Sequence, residues 1–168
     1  MGCHAGNCIG HRYSLIYQPQ TTTLQTTMTN AAFTYGKFNQ LHNGHVELFR
    51  QALENHDRLY IGISTATKNE DVRKRVRNLD LVIKANGWRG RVCIVPGGNM
   101  FAAYDSIHEA CDVALGEDRA AVGQRLAHEN GGDYIKVKRM TSSTEVRRRL
   151  ATGEDLSDIV PSYLINNL

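Results

Sequence analysis

The sequence predicts an α/β fold in which a doubly wound, five-stranded parallel sheet carries helices on both faces. Short apolar and β-branched runs alternate with segments of helical period from residue 31 onward. Five strands that each lead into a helix imply parallel pairing. Right-handed crossovers between such strands produce the doubly wound arrangement. The 168 residues are enough for one domain with a proper hydrophobic core.

The individual elements follow from the same patterns. Strands are predicted at residues 31–34, 58–64, 92–96, 112–115 and 134–138. Helices are predicted at residues 46–55, 70–85, 101–110, 119–129 and 141–150. The segments Asn86-Gly87 and Asn130-Gly131-Gly132 mark two helix ends, because glycine readily adopts the left-handed conformation found there.

The second predicted helix is long and charged. Its apolar residues recur at helical spacing and form an inner stripe of Val72, Val76, Leu79, Val82 and Ile83. Its basic residues are expected to lie largely outside that stripe, and they are Arg73, Lys74, Arg75 and Arg77. Trp88 follows this helix and precedes a strand, so we expect it to pack at the end of the sheet that ligands do not use.

The loop after the first strand is the first candidate site, because ligands of such sheets bind beyond the carboxyl ends of the strands. Gly36 allows a ligand to approach the backbone closely. His42 and His45 follow where helical periodicity begins. A helix start offers free N–H groups and a dipole that attract anions, and imidazoles add donors near pH 7. The pattern predicts a phosphate site, with simple capping or surface histidines as the alternative.

The segment after the fifth strand is the second candidate. Ser142, Ser143 and Thr144 stand at the predicted helix start, where hydroxyls cap free N–H groups and Glu145 can complete a capping box. This helix also starts at the carboxyl end of a strand, so its hydroxyls, with Arg147 one turn later, suit a polyphosphate chain. Capping and phosphate binding both remain open interpretations.

These two segments resemble the motifs of the nucleotidyltransferase superfamily, which includes the nicotinamide mononucleotide and phosphopantetheine adenylyltransferases. His42-Asn43-Gly44-His45 is similar to the HxGH motif, and residues 142–147, SSTEVR, are similar to ISSTxIR. Residues 36–40, GKFNQ, are similar to the lead-in G-[RT]-F-x-P, but Lys37 stands where arginine or threonine is usual and the proline is missing. Thr141 stands where isoleucine is usual in the second motif. Residues 116–118, GED, resemble the GxD segment, and residues 159–164, IVPSYL, resemble the end of many mononucleotide adenylyltransferases. The likeness covers about residues 31–168 and implies a Rossmann-like fold of the HUP type.

The resemblance implies transfer of an adenylyl group from ATP to a phosphate-bearing acceptor, with release of pyrophosphate. His42 and His45 would contact the phosphates, with His45 nearest the reacting group, and Lys37 would assist. Ser143, Thr144 and Arg147 would hold the leaving β- and γ-phosphates. Mg²⁺ would neutralise the triphosphate while using few protein ligands.

The remaining nucleotide contacts implied by the resemblance are Gly36, Phe38, Gly44, Gly116, Asp118 and Ser142. Asp118 would orient the ribose or the metal shell, or would cap the following helix instead. Candidate acceptor contacts follow the second and third strands, and they are Thr65, Lys68, Asn99, Phe101 and Tyr104. Phe101 and Tyr104 could stack on a ring, but their helical spacing also fits plain core.

Nicotinamide or nicotinate mononucleotide is the favoured acceptor, because the second motif and the tail resemble those enzymes. One alternative is a phosphopantetheine-type adenylyltransferase. The other is a non-catalytic nucleotide-binding module that keeps the fold. A cytidylyltransferase is disfavoured because the RTxGISTT form of the second motif is absent. Family members often form oligomers, so a homo-oligomer is an open possibility.

Composition bounds the class of protein. The formal net charge of +3 permits anionic small molecules without arguing for nucleic acid. No apolar run is long enough for a membrane span. The four cysteines form no disulfide framework, which favours a reducing cytoplasm. Residues 1–30 are expected to be a flexible arm before a domain at 31–168. Within the arm, one cluster matches no compact zinc motif, so no metal site is predicted: Cys3, His4, Cys8 and His11.

Overall fold

Five parallel strands form the centre of the computed structural model, which describes residues 29–66, 71–138 and 140–168. The strands are β1 (Ala31–Gly36), β2 (Arg58–Ser64), β3 (Val92–Gly97), β4 (Asp112–Gly116) and β5 (Tyr134–Val137). They pair in the order β3-β2-β1-β4-β5. This confirms the predicted fold class. Apart from Thr29 and Asn30, the expected arm at 1–30 lies outside the described residues.

Helices cover both faces of this sheet. They are α1 (Asn43–Glu54), α2 (Val72–Ala85), α3 (Met100–Asp105), α4 (Ala120–Glu129), α5 (Ser143–Thr152) and α6 (Ser162–Ile165), with a 3₁₀ turn at Glu117–Arg119. One hydrophobic cluster joins α1, α2, α5 and α6 to the sheet, and a second joins α3 and α4 to the opposite face. In the described residues, no helix combines the length and apolar character required to cross a membrane.

β1 lies in the middle of the sheet and is buried on both sides. Ala32 belongs to the cluster beneath α1 and α2, whereas Ala31 and Phe33 belong to the cluster beneath α3 and α4. A strand covered on both faces needs apolar residues at successive positions, and this explains why the segment shows no polar alternation. The chain runs outward from β1 to β3 and then returns to β4 on the other side of β1. The carboxyl ends of β1 and β4 therefore form the switch point of the sheet.

α3 is shorter than the sequence pattern predicted. It ends at Asp105 rather than near residue 110. The Ser106 hydroxyl donates to the Ala103 carbonyl oxygen at 2.7 Å, and the Cys111 N–H donates to the Tyr104 hydroxyl at 2.9 Å. These bonds turn the chain back toward the start of β4, and the apolar residues beyond Asp105 belong to that turn.

α2 departs from the prediction at Arg75. Leu79, Val82 and Ile83 are buried as expected, but Arg75 is also buried, with only 3% of its surface exposed. The helical spacing explains this, because Arg75 lies four residues before Leu79 and therefore on the same face. Trp88 packs against the core before β3, as predicted for a residue away from the ligand end.

Candidate active site

A cavity of about 430 Å³ opens beyond the carboxyl ends of β1, β4 and β5. The loops that follow these three strands supply its walls, as the strand-end rule requires. All twelve residues that the sequence predicted for the site line this cavity: Gly36, Lys37, Phe38, His42, Gly44, His45, Gly116, Asp118, Ser142, Ser143, Thr144 and Arg147. The two motifs are about a hundred residues apart in the sequence, and they form opposite parts of one site.

The two histidines stand at the start of α1. His42 is the N-cap residue, with extended backbone angles, and its side chain makes no capping hydrogen bond. Its ring is stacked on that of His45, with 3.8 Å between the ring centroids. A Cβ on Gly44 would lie 3.1 Å from the His42 ring, so glycine allows the ring to lie against the helix start. Two imidazoles and the positive end of a helix therefore converge on one place.

Phe38 fixes the position of His45. It is buried, and its ring packs edge-to-face on His45 and on Phe49, with centroid distances of 5.1 and 5.6 Å. Its backbone has a φ of 53°, the one positive value among non-glycine residues that the structure describes. A Cβ on Gly36 would lie 2.9 Å from the Phe38 ring, so the ring occupies space that any other residue at position 36 would need.

This close contact gives a stability prediction. We expect Gly36→Ala to lower the free energy of unfolding by about 1–3 kcal/mol, because the new methyl group overpacks a ring held by two aromatic neighbours. Gly98→Ala is the matched control, since a Cβ there meets nothing within 4 Å. Urea unfolding of the two variants and the wild type measures the difference. Equal stability of both variants would contradict the packing described for Phe38.

The start of α5 combines capping with an open polar surface. Ser142 is its N-cap residue, and the Ser142 hydroxyl accepts from the Glu145 N–H at 3.2 Å. The Ser143 hydroxyl donates to the Gln40 carbonyl oxygen at 3.4 Å, which ties this helix to the β1–α1 loop. The Arg147 guanidinium donates to the Thr144 hydroxyl at 3.3 Å. Ser142 therefore has the capping role that the sequence left open, while it also lines the cavity.

Three successive arginines in α5 have different surroundings. Arg148 and Arg149 each form a 2.8 Å salt bridge with Glu145, and their hydrogen bonds lower the pKa of that carboxyl to about 2. Arg149 also pairs with Asp158. Arg147 lines the cavity and forms no salt bridge with any carboxylate in the described part of the chain. Of the three, Arg147 is the cation placed for an incoming anion.

The cavity has a positive balance of charge. Besides Lys37 and Arg147, it is lined by Arg119 and Lys138, whereas Asp118 is its one carboxylate within the described residues. The Arg119 guanidinium donates to the Tyr35 carbonyl oxygen at 3.3 Å. Sequence reasoning missed Arg119 and Lys138, although both follow carboxyl ends of strands and the strand-end rule could have found them.

The tail of the chain supports the first motif. The Asn43 N–H donates to the Ile159 carbonyl oxygen at 2.8 Å, and the Asn43 side-chain amide donates to the Asp158 carbonyl oxygen at 3.0 Å. Val160 is fully buried beside them. The tail segment that resembles the family ending thus holds the first residue of α1, the helix that presents both histidines.

The residues that were expected to contact the acceptor lie in different environments. Tyr104 belongs to the core, where it packs edge-to-face on Phe33 at 5.1 Å. The Asn99 side chain caps α3 by accepting from the Ala102 N–H at 2.9 Å. Phe101 is 39% exposed, so its ring remains accessible. Thr65 is exposed as well, and Lys68 lies outside the described residues.

Comparison with known proteins shows what this chain is similar to. The family model described as Cytidylyltransferase-like matches residues 33–93, which include the first motif and β2. The nicotinamide-nucleotide adenylyltransferase of Archaeoglobus fulgidus is 27% identical over 148 residues, covering 77% of this chain and 85% of the relative. The glycerol-3-phosphate cytidylyltransferase of Staphylococcus aureus is 29% identical over 103 residues, covering 48% of this chain and 78% of the relative.

This chain is therefore similar in sequence to known nucleotidyltransferases. A solved structure supports the fold of this chain. It is that of a Vibrio parahaemolyticus protein proposed to be a nicotinate-nucleotide adenylyltransferase, with a TM-score of 0.66 and 20% identity, covering 84% of this chain and 92% of that chain. The predicted resemblance to the nucleotidyltransferase superfamily and the predicted HUP-type fold are therefore confirmed.

Proposed function

We propose that this nucleotidyltransferase transfers the adenylyl group of ATP to the phosphate of nicotinamide or nicotinate mononucleotide. The observation that carries the proposal is the pairing of two helix starts across one positively charged cavity. α1 presents the stacked His42 and His45, and α5 presents Thr144 and Arg147. This arrangement suits a polyphosphate whose reacting end lies at the histidines and whose leaving end lies at the arginine.

The reaction needs no covalent attachment to the protein. An oxygen of the acceptor phosphate forms a bond to the α-phosphorus of ATP, while the bond from that phosphorus to the bridging oxygen breaks and pyrophosphate leaves. His45 and His42 would donate to the α-phosphate oxygens as negative charge develops. Arg147 and the α5 N-terminus would stabilise the charge of the pyrophosphate. The rate gain comes from holding the two reactants in line.

The donor set of the cavity fits a Mg²⁺ ion that is held mainly by the nucleotide. Asp118 is the one carboxylate that lines the cavity in the described residues, and those residues contain no cluster of three or more metal-ligating side chains. Mg²⁺ in phosphoryl-type transfer is commonly bound by one or two carboxylates together with substrate phosphates. When bound, the ion would neutralise part of the triphosphate charge. Asp118 would supply the protein ligand.

The choice of ATP and of a mononucleotide acceptor rests on the second motif and the tail. The adenylyltransferase relative matches most of the chain, whereas the cytidylyltransferase relative matches about half of it. The tail also has a visible role here, because it bonds to the start of α1. We place the reaction in the cytoplasm, in keeping with the free thiols of Cys93 and Cys111.

A panel of substrates tests this proposal. The full chain with Mg²⁺ is given ATP plus nicotinamide mononucleotide, nicotinate mononucleotide or phosphopantetheine, and CTP plus glycerol 3-phosphate. Pyrophosphate release is followed continuously, and the dinucleotide product is identified by its mass. We expect release with ATP and one or both mononucleotides. Pyrophosphate release from only the pair of CTP and glycerol 3-phosphate would identify the protein as a cytidylyltransferase. ATP binding without pyrophosphate release from any substrate pair would identify it as a binding module.

A further inference from the structure

Arg75 is a buried cation outside the cavity that makes contact with the backbone of the cavity wall. It lies in the first turns of α2 and is 3% exposed. Its Nη1 donates to the Lys37 carbonyl oxygen at 2.7 Å. Its Nε and Nη2 are buried and have no hydrogen-bond partner among the residues that the structure describes. No carboxylate in the described ranges forms a salt bridge with it.

Such a residue is costly for the fold. A guanidinium that leaves water loses hydration that a single neutral carbonyl cannot replace, and two of its nitrogens gain nothing in return. An apolar residue of similar length would fill the same place on the inner face of α2 without this cost. The hydrogen bond to the Lys37 carbonyl oxygen is therefore the feature that can explain a cation at this position.

That partner is the peptide that sets the conformation of Phe38. The Lys37 carbonyl belongs to the peptide bond preceding Phe38, so rotation about φ of Phe38 would swing this carbonyl away from Arg75. The φ of 53° is unfavourable for a residue with a side chain. The Arg75 hydrogen bond favours that conformation over the ordinary one. Lys37, which lines the cavity, precedes this peptide bond. Phe38, whose ring packs on His45, follows it.

We propose that Arg75 is a positioning residue for nucleotidyl transfer. It holds the Lys37–Phe38 peptide so that the Lys37 side chain faces the triphosphate and the Phe38 ring supports His45. This inference rests on the proposed function, because the effect is expressed in turnover. α2 contributes no residue to the cavity lining. Through Arg75, this helix nevertheless fixes the geometry of the cavity where the histidines lie.

Arg75→Met tests the role by removing the donor while keeping an apolar stem. We expect kcat for pyrophosphate release to fall by about 10- to 100-fold, as for a displacement of the reacting groups by about 1 Å. The KM of the acceptor should stay close to the wild-type value. Arg75→Lys keeps the charge and one donor, and it should recover part of the loss. Arg73→Met is the matched control on the same helix, since Arg73 is exposed, and it should leave kcat unchanged.

A double-mutant cycle with Lys37→Ala separates positioning from general destabilisation. If Arg75 acts through this loop, Arg75→Met should cost clearly less in the Lys37→Ala background than in the wild type. Equal costs in the two backgrounds would overturn the proposal, as would wild-type kcat in a folded Arg75→Met protein. Should Arg75→Met fail to fold, the same cycle is run with Arg75→Lys. Additive effects of Arg75→Lys and Lys37→Ala on kcat would equally overturn the proposal.

Failure of the proposed function gives a different pattern. A wild-type protein that releases no pyrophosphate contradicts the function but not the loop geometry. Calorimetric titration with ATP and Mg²⁺ then decides about Arg75, because Arg75→Met should weaken ATP binding relative to Arg73→Met. Equal ATP affinity of these two variants would overturn the positioning role without reference to any acceptor.

Discussion

Replacement of His45 by alanine should lower kcat for pyrophosphate release by about 10²- to 10³-fold, the usual effect of losing one donor to a transition-state oxyanion. The His45 ring is held on two sides, by the stacked His42 ring and by the edge-to-face contact with Phe38. A donor held in this way needs no reorganisation when negative charge develops on the α-phosphate. ATP affinity should change much less than kcat, since the charge to be stabilised is larger in the transition state.

The measurement is a full kinetic comparison with ATP and the active mononucleotide. His128→Ala serves as the control, because His128 lies exposed in α4 on the other face of the sheet and should leave kcat unaltered. Loss of ATP binding with kcat retained at saturation would show that His45 binds the ground state and would remove it from the reacting end.

Replacement of Arg147 by alanine should weaken ATP binding by about 10- to 100-fold, the equivalent of one charge-assisted hydrogen bond at about 1.5–3 kcal/mol. Arg147 is the member of the three-arginine run that is free of carboxylate partners in the described residues and faces the cavity. Its guanidinium can therefore engage phosphate oxygens without first breaking a salt bridge.

Calorimetric titration with ATP and Mg²⁺ measures the effect. Arg148→Ala is the control one residue away. It removes the same charge from the protein but acts on surface pairs with Glu145 and Glu154, which contribute little at an exposed site. If both variants bind ATP equally weakly, the effect of Arg147 is only a long-range charge effect, and its assignment to the pyrophosphate is wrong.

The fold could be predicted from the sequence because the spacing of apolar residues indicates which segments are strands buried on both faces of a parallel sheet and which are helices. The predicted strand at residues 58–64 matches β2, for example, and His42 and Ser142 stand at helix starts as expected. Both candidate segments could be placed together because the carboxyl ends of parallel strands share one edge. Topology therefore brings the two candidate segments to one edge of the sheet, whereas the roles of their residues were implied by the family resemblance.

The remaining features depend on contacts between distant segments. Arg75 was expected near solvent because the sequence shows that it is charged but does not show its partner. That partner, the Lys37 carbonyl oxygen, lies 38 residues earlier in the chain and accompanies the burial of Arg75. The positive φ of Phe38 has no local signal, since neither glycine nor asparagine stands at that position. Arg119 was overlooked because the sequence pattern placed it in a surface helix beginning at residue 119, whereas it lies in the 3₁₀ turn directly after β4.

The bonds between Asn43 and the tail impose an order on events during translation. The first motif is synthesised early, but its helix start is completed by carbonyls of Asp158 and Ile159. The start of α5, which faces the histidines, also emerges only after β5 has been made. Contacts between such distant segments form late because closing a long loop costs entropy. We therefore expect the nascent chain to complete this anion site only after all five strands of the sheet have been synthesised.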